Sequence, residues 1–331
     1  MNNSKEIRSS GYWARRGMAC GLAKFNCSGA TQQTCQDMIS RREDMLLQAI
    51  SGILGGVVFR GSSCGVVSGG ALGLALMHED ELLKNGLESE VGLIILAGDY
   101  AKWFEGTYGT TLCKERTGID FWSLVGVMRY LLPGDKIVKC MSHMNGAMKY
   151  IYDLQFEELP KIDLDQYSRE GTPVHCAQAV LEGVRANTSI GDPLLERLSV
   201  VLDGGIGLQG GACGALVGAI LAINISLGGN IREYSTFQPY MEFFSNLKYL
   251  HADEPYGTSN SIDVGRVILD KFEEKAGSIN CSAITEIEFT DWASFQNYVT
   301  SSERCKELLD LSILEATLAL EQHTDVAQRD A

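Results

Sequence analysis

The chain has 331 residues, of which 45% are hydrophobic and 21% charged, with a formal net charge of -14 and an isoelectric point near 4.8. That length predicts two domains, and the composition is that of an ordinary soluble globular protein. The acidic balance argues against nucleic acid as a partner, because phosphate binding needs clustered lysine and arginine.

The amino end, Met1 to Arg8, lacks the apolar core of a secretion signal. Arg15-Arg16 is followed by too short and too weakly apolar a stretch to be a twin-arginine signal. A cytoplasmic chain is therefore expected, where thiols stay reduced and cysteine clusters bind metal or do redox work. The run from Gly204 to Asn230 carries no charge and is long enough to span a bilayer, but its glycines, Gln209, Asn224 and Asn230 favour a buried helix.

In chain order, residues 1–23 read as a polar, basic lead-in whose Trp13 docks on the body. Apolar residues at helical spacing run from Met38 to Ile53 and stop at Gly55-Gly56. An apolar core helix is expected from Cys64 to His78, then a charged connection over Glu79 to Glu90 and a helix over Val91 to Phe104. Residues 155–171, rich in Glu, Asp and Lys, read as a linker. Thr172-Pro173 then reads as a cap and first helical residue.

The chain repeats itself. Arg60-Gly-Ser-Ser-Cys64-Gly-Val-Val-Ser-Gly69 returns 149 residues later as Gln209-Gly-Gly-Ala-Cys213-Gly-Ala-Leu-Val-Gly218, and Cys27 returns as Cys176. Cys113-Lys-Glu-Arg-Thr117 returns at a larger shift as Cys281-Ser-Ala-Ile-Thr285, so an insertion lies between the two phrases, expected at about Tyr234 to Tyr256. Each copy closes with a cysteine expected ahead of a helix, Cys140 and Cys305. The fold class read from this is all-α, with two tandem homologous domains over 24–154 and 172–331 related by a pseudo-two-fold axis. Gly65, Gly69 and Gly73, matched by Gly214, Gly218 and Ala222, form stripes of small residues at helical spacing. Those stripes either face each other across that axis or pack each within its own domain.

Four cysteines recur in order: Cys27, Cys64, Cys113, Cys140, then Cys176, Cys213, Cys281, Cys305. Cys20 and Cys35 stand outside the scheme. Core packing does not require this, since Ala or Val fills the same space. Helix starts at Cys64, Cys176 and Cys213 would favour thiolates. Gly61, Gly65, Gly210, Gly211 and Gly214 would let backbone approach a bulky inorganic group, so they are candidate cofactor-binding residues. Four soft ligands per half suit an iron–sulfur cluster of unknown type, zinc, or dithiol couples. No tight Cys-x-x-Cys pair occurs, so the ligands must converge from separate helices. No Cys-x-x-Cys-His occurs either, which removes covalent c-type haem. The five histidines fall at no matched positions, and no catalytic residue is assigned. Lys114-Glu-Arg116 becomes Ser282-Ala-Ile284, so the halves are expected to differ in handling a substrate.

Cys213-Gly-Ala-Leu-Val-Gly218, with one cysteine upstream and two downstream, resembles the C_GCAxxG_C_C redox-active proteins, whose domain also occurs in split-Soret cytochromes. The likeness spans about Thr172 to Leu320 and, with Val66 for the alanine, Lys24 to Leu154. It implies small helical domains with redox-active cysteines and, in the split-Soret branch, an iron–sulfur centre and dimeric haem packing. The haem attachment sites are missing here, so the haem role does not carry over. Tandem duplication would make within one chain the pairing that single-copy relatives make as dimers, and a homodimer stays open. The function expected is a cysteine-ligated iron–sulfur protein, an electron carrier or small oxidoreductase with a redox partner protein. A metal-free thiol–disulfide oxidoreductase and a zinc-stabilised interaction scaffold are the alternatives.

Overall fold

The computed structural model describes residues 8–162, 172–235 and 261–329. Among the described residues every regular element is helical, and the only strand-like pairings are two isolated bridges, Ser63 with Leu112 and Ala212 with Asn280. The first half holds α1 (Ser10–Lys24), α2 (Cys27–Met38), α3 (Asp44–Ile50), α4 (Gly65–Met77), α5 (Glu79–Asn85), α6 (Leu87–Tyr108), α7 (Cys113–Thr117), α8 (Leu124–Leu131) and α9 (Asp135–Leu154). The second holds α10 (Cys176–Thr188), α11 (Pro193–Leu198), α12 (Gly214–Leu227), α13 (Ser261–Ala276), α14 (Cys281–Thr285), α15 (Trp292–Ser301) and α16 (Glu303–Arg329). Short 3-10 turns follow α3, at Ser51–Ile53, and α11, at Ser199–Leu202.

The central helices α4 and α12 are apolar all round because they are buried all round. α4 packs on α2, α6 and α9, and α12 packs on α10, α13 and α16. The halves also share packing: α12 lies on α3 and the 3-10 turn of the first half, while α4 and α6 lie on the 3-10 turn of the second. One hydrophobic core runs from Ala14 to Leu320 through both halves. Among the described residues no helix is long and apolar enough to cross a membrane. The uncharged run from Gly204 contains the buried α12.

Several expectations are corrected. The lead-in is α1, with Trp13 buried, and it packs on α9 and α2. The charged connection after His78 is the helix α5. Cys140 sits inside α9 rather than ahead of it, and Cys305 lies in the first turn of α16. Thr172 caps nothing: α10 begins at Cys176, with His175 as its N-cap residue. The glycine stripes do not form the seam. A Cβ on Gly65 would lie 2.4 Å from the Cys27 sulfur and one on Gly69 2.5 Å from Ser28 O, so the stripe brings α4 onto α2 of its own half. Gly218 likewise faces Ala177 and Val180 of α10.

The seam is built from the loops before α4 and α12. Gly207 lies against Gly98 of α6, where a Cβ on Gly207 would stand 2.1 Å from the Gly98 nitrogen. Ser63 Oγ accepts from the Ala212 N–H at 2.8 Å, and Arg60 Nε donates to Glu273 at 3.0 Å. Of the expected insertion, residues 236–256 lie outside the described residues, as do 163–171 of the linker.

Candidate functional site

Each half brings its four cysteines together by the same local construction. The Cys64 N–H donates to Thr111 O at 2.8 Å and the Cys113 N–H to Ser62 O at 2.7 Å, which sets the two cysteines side by side. In the second half the Cys213 N–H donates to Ile279 O at 2.8 Å and the Cys281 N–H to Gly211 O at 2.7 Å. Cys64 and Cys213 are N-cap residues of the central helices, and Cys27, Cys113, Cys176 and Cys281 each begin a helix. Cys140 and Cys305 come from the long last helix of each half. Among the described residues, no three His, Cys, Asp or Glu side chains stand as a single metal ion requires, and all ten cysteines are free thiols.

The two sites differ in room. Cys27, Cys113 and Cys140 line a cavity of about 140 Å³ that also meets Arg116, Tyr130 and Phe121. Cys176, Cys213, Cys281 and Cys305 line a space of only about 20 Å³, closed by Phe289, Phe295 and Tyr298. The caps explain the difference. Cys281 and Phe289 belong to the main core, whereas Cys113, Ile119 and Phe121 form a small apolar cluster of their own.

They differ also in charge. Arg116, on α7 and 6% exposed, donates from Nη2 to the Cys64 sulfur at 2.9 Å and from Nη1 to His143 Nδ1. Its Nε has no partner. Burial acts against this charge, but the four sulfurs around it favour the cation. Burial, Arg116 and Lys139 push His143 down to about 4, so the ring is neutral and accepts from Arg116 while stacking on Tyr108 at 4.0 Å. Ile284 and Leu308 stand at the matching places in the second half, one residue from each flanking helix. There the buried ionic groups are an acid and a histidine, Asp203 and His175. Asp203 accepts from the Cys176 N–H at 2.8 Å and sits 2.7 Å from His175 Nδ1, with Glu90 3.4 Å from the other ring nitrogen. Asn26 and Leu54 occupy those places in the first half.

Cys176 and Cys213 are not the low-pKa thiolates that their helix starts would suggest. Burial pushes Cys27 up to about 12 and Cys213 up to about 11, although the Ala215 and Leu216 N–H groups oppose the latter shift. Cys113, Cys176 and Cys281 are raised by the same cause. Cys140 is raised by burial against the pull of Arg116 and a hydrogen bond from Tyr130. In a water-poor site the cost of a bare charge outweighs a few backbone N–H groups. Cys305 is also raised by burial.

The glycines singled out by sequence mostly meet protein rather than cavity. Gly61 and Gly210 stand against Lys114 and Ser282, Gly211 against Ser63, and Gly65 against the Cys27 sulfur; Gly214 lines the second space beside Cys176. Cys35 is buried against Gly73 and Cys20 donates to Gln33 Oε1 at 3.5 Å, and neither lines either of these two spaces. Sequence reasoning missed Tyr130, Asp203 and the pairing of Arg116 with His143. The substitution of Ile284 for Arg116 was the available signal, since the residue one helical turn past a matched cysteine must face the same site.

A family model described as C_GCAxxG_C_C, putative redox-active protein, matches residues 25–152 and again 174–314. No curated protein and no solved structure matches the chain. With both halves covered, and each carrying the ordered four-cysteine set, the chain belongs to the C_GCAxxG_C_C family of redox-active proteins, as a tandem duplication.

Proposed function

We propose that the first half carries the working centre, an iron–sulfur cluster held by Cys27, Cys64, Cys113 and Cys140. The observation that carries the reading is Arg116, a buried guanidinium whose Nε lacks a hydrogen-bond partner and whose neighbours are a neutral histidine, sulfurs and the Phe104 ring. An isolated buried charge costs several kcal/mol unless it is compensated, and a thiolate-ligated cluster supplies that compensation. Among the described residues no three of these side chains stand as a single metal ion such as zinc requires. A cluster spreads its ligands over several irons and suits a wider set.

A cluster of this kind takes up and releases single electrons. The chain's own groups set its surroundings. Arg116 donates to the Cys64 sulfur and Tyr130 to Cys140, and such donors favour the more negative, reduced state. Phe121 and the other apolar walls exclude water. The second set has less room and no arginine at the place of Arg116; its buried cation is His175, which is paired with Asp203. The air-free protein should contain iron and sulfide, lose both with Cys113→Ser and keep them with Cys281→Ser. Zinc in place of iron would support the scaffold reading. Colourless protein with disulfides within one set would support thiol–disulfide exchange.

A further inference from the structure

We infer that the surface formed by α8 and the start of α9 is the docking face for an electron-transfer protein whose own contact patch is apolar in the centre and acidic at the rim. Val125 is 78% exposed and Val138 70%, and Leu124, Met128 and Leu132 are exposed beside them. Contiguous apolar surface of this kind marks interaction sites. The same segment lies over the first cavity, which Tyr130, Leu131 and Ile137 help to line.

The repeat supplies an internal control. α15 stands where α8 does in the first half, and there Trp292, Phe295 and Val299 turn inward and are at most 4% exposed. At the matching positions Trp292 is 4% exposed where Leu124 is 60%, and Gln296 7% where Met128 is 44%. Val127 is buried as Phe295 is, so the first half leaves in solvent two positions that the second half buries. Charge separates the two caps in the same sense. Between Leu124 and Cys140 the charged residues are Arg129, Lys136 and Lys139 against Asp135, a net positive stretch in a chain of net charge -14. Between Trp292 and Cys305 they are Glu303 and Arg304, which cancel. A cationic edge around an apolar centre speeds and orients encounters with an acidic partner, and electron-transfer interfaces are small enough for one helix to supply much of the contact.

The electron role of the partner rests on the proposed function. One electron leaves the partner and enters the centre, so the partner is oxidised and the centre reduced by one, with no bond made or broken. Docking itself does not depend on what the centre contains.

A small acidic flavodoxin is the probe, with binding to the full chain measured by calorimetry at low and moderate salt, alongside iron analysis of the same preparation. Binding should weaken with salt and fall at least tenfold with Val125→Asp or Arg129→Glu. Asn297→Glu, at the position of Arg129 on α15, should leave it unchanged. All three changes are at exposed positions, and unchanged melting temperatures would show that the variants fold. Absence of flavodoxin binding, equal effects of Arg129→Glu and Asn297→Glu, or a chain dimer that Val125→Asp splits would each overturn the inference. Binding with the expected pattern in iron-free protein would retain the docking face and reject the iron–sulfur reading.

Discussion

Arg116 donates to the Cys64 sulfur at 2.9 Å across the first site, and the residue at its place in the second half is Ile284. One substitution thus separates two sites built by the same hydrogen bonds. A buried guanidinium beside four sulfurs stabilises negative charge there; Ile284 does not.

Arg116→Met should act with opposite signs on the empty and the loaded protein. Replacing a poorly compensated buried charge by an apolar side chain of similar length is often neutral or stabilising. The metal-free variant should therefore unfold at the same denaturant concentration as the parent or higher, by up to about 2 kcal/mol. The air-free protein should lose iron or show a lower reduction potential. Unchanged iron and an unchanged potential would show that Arg116 does nothing for the centre.

The His175–Asp203 pair gives a pH signature. Burial disfavours the charged His175 ring, but Asp203 and Glu90 outweigh it and raise His175 from 6.5 to about 9. A raised folded pKa contributes stability that is complete below pH 6.5 and lost as pH rises through 9. Asp203 is itself raised by burial from an acid-range value. Stability should fall by roughly 1–3 kcal/mol between pH 6.5 and 10. His175→Asn, which installs the residue found at the matching Asn26, should flatten that fall. A variant with the same slope as the parent would remove His175 from the account.

Two glycines on α6 separate seam from helix propensity. A Cβ on Gly98 would lie 2.5 Å from Gly207 O of the other half, whereas one on Gly106 meets nothing within 4 Å. Gly98→Ala should therefore cost about 1–3 kcal/mol through overpacking. Gly106→Ala should be stabilising by up to about 1 kcal/mol, as in any exposed helix interior. Thermal unfolding of the full chain measures both, and equal effects would mean that the halves do not press together at Gly207.

The two caps predict opposite responses to truncation. Phe295→Ala on α15 removes a ring that closes the second space and should cost about 3–5 kcal/mol. Val125→Ala on α8 removes exposed atoms and should stay within about 0.5 kcal/mol of the parent. Denaturant titration gives both values. A large loss from Val125→Ala would mean that α8 is held against the body in solution.

The helical class, the duplication and the grouping of cysteines were legible in the sequence because each is a one-dimensional pattern. Periodic apolar residues give helices wherever they can be buried, and two copies of one phrase must fold alike. Cys64 and Cys213 at the starts of α4 and α12 follow from glycine loops that run straight into apolar stretches. Tertiary structure decided what periodicity leaves open. The stripe of Gly65 and Gly69 offers a close approach to any helix, and only the assembled half presents α2 to it. Helix starts at the cysteines suggested thiolates, but the burial that raises Cys27 exists only once four elements and their walls have closed around it. Arg116 and His143 lie 27 residues apart with no counterpart in the other copy, so nothing in the chain order joins them. Packing α9 against α7 does, and it gives the first half a buried guanidinium at its sulfurs, where the second half has Ile284.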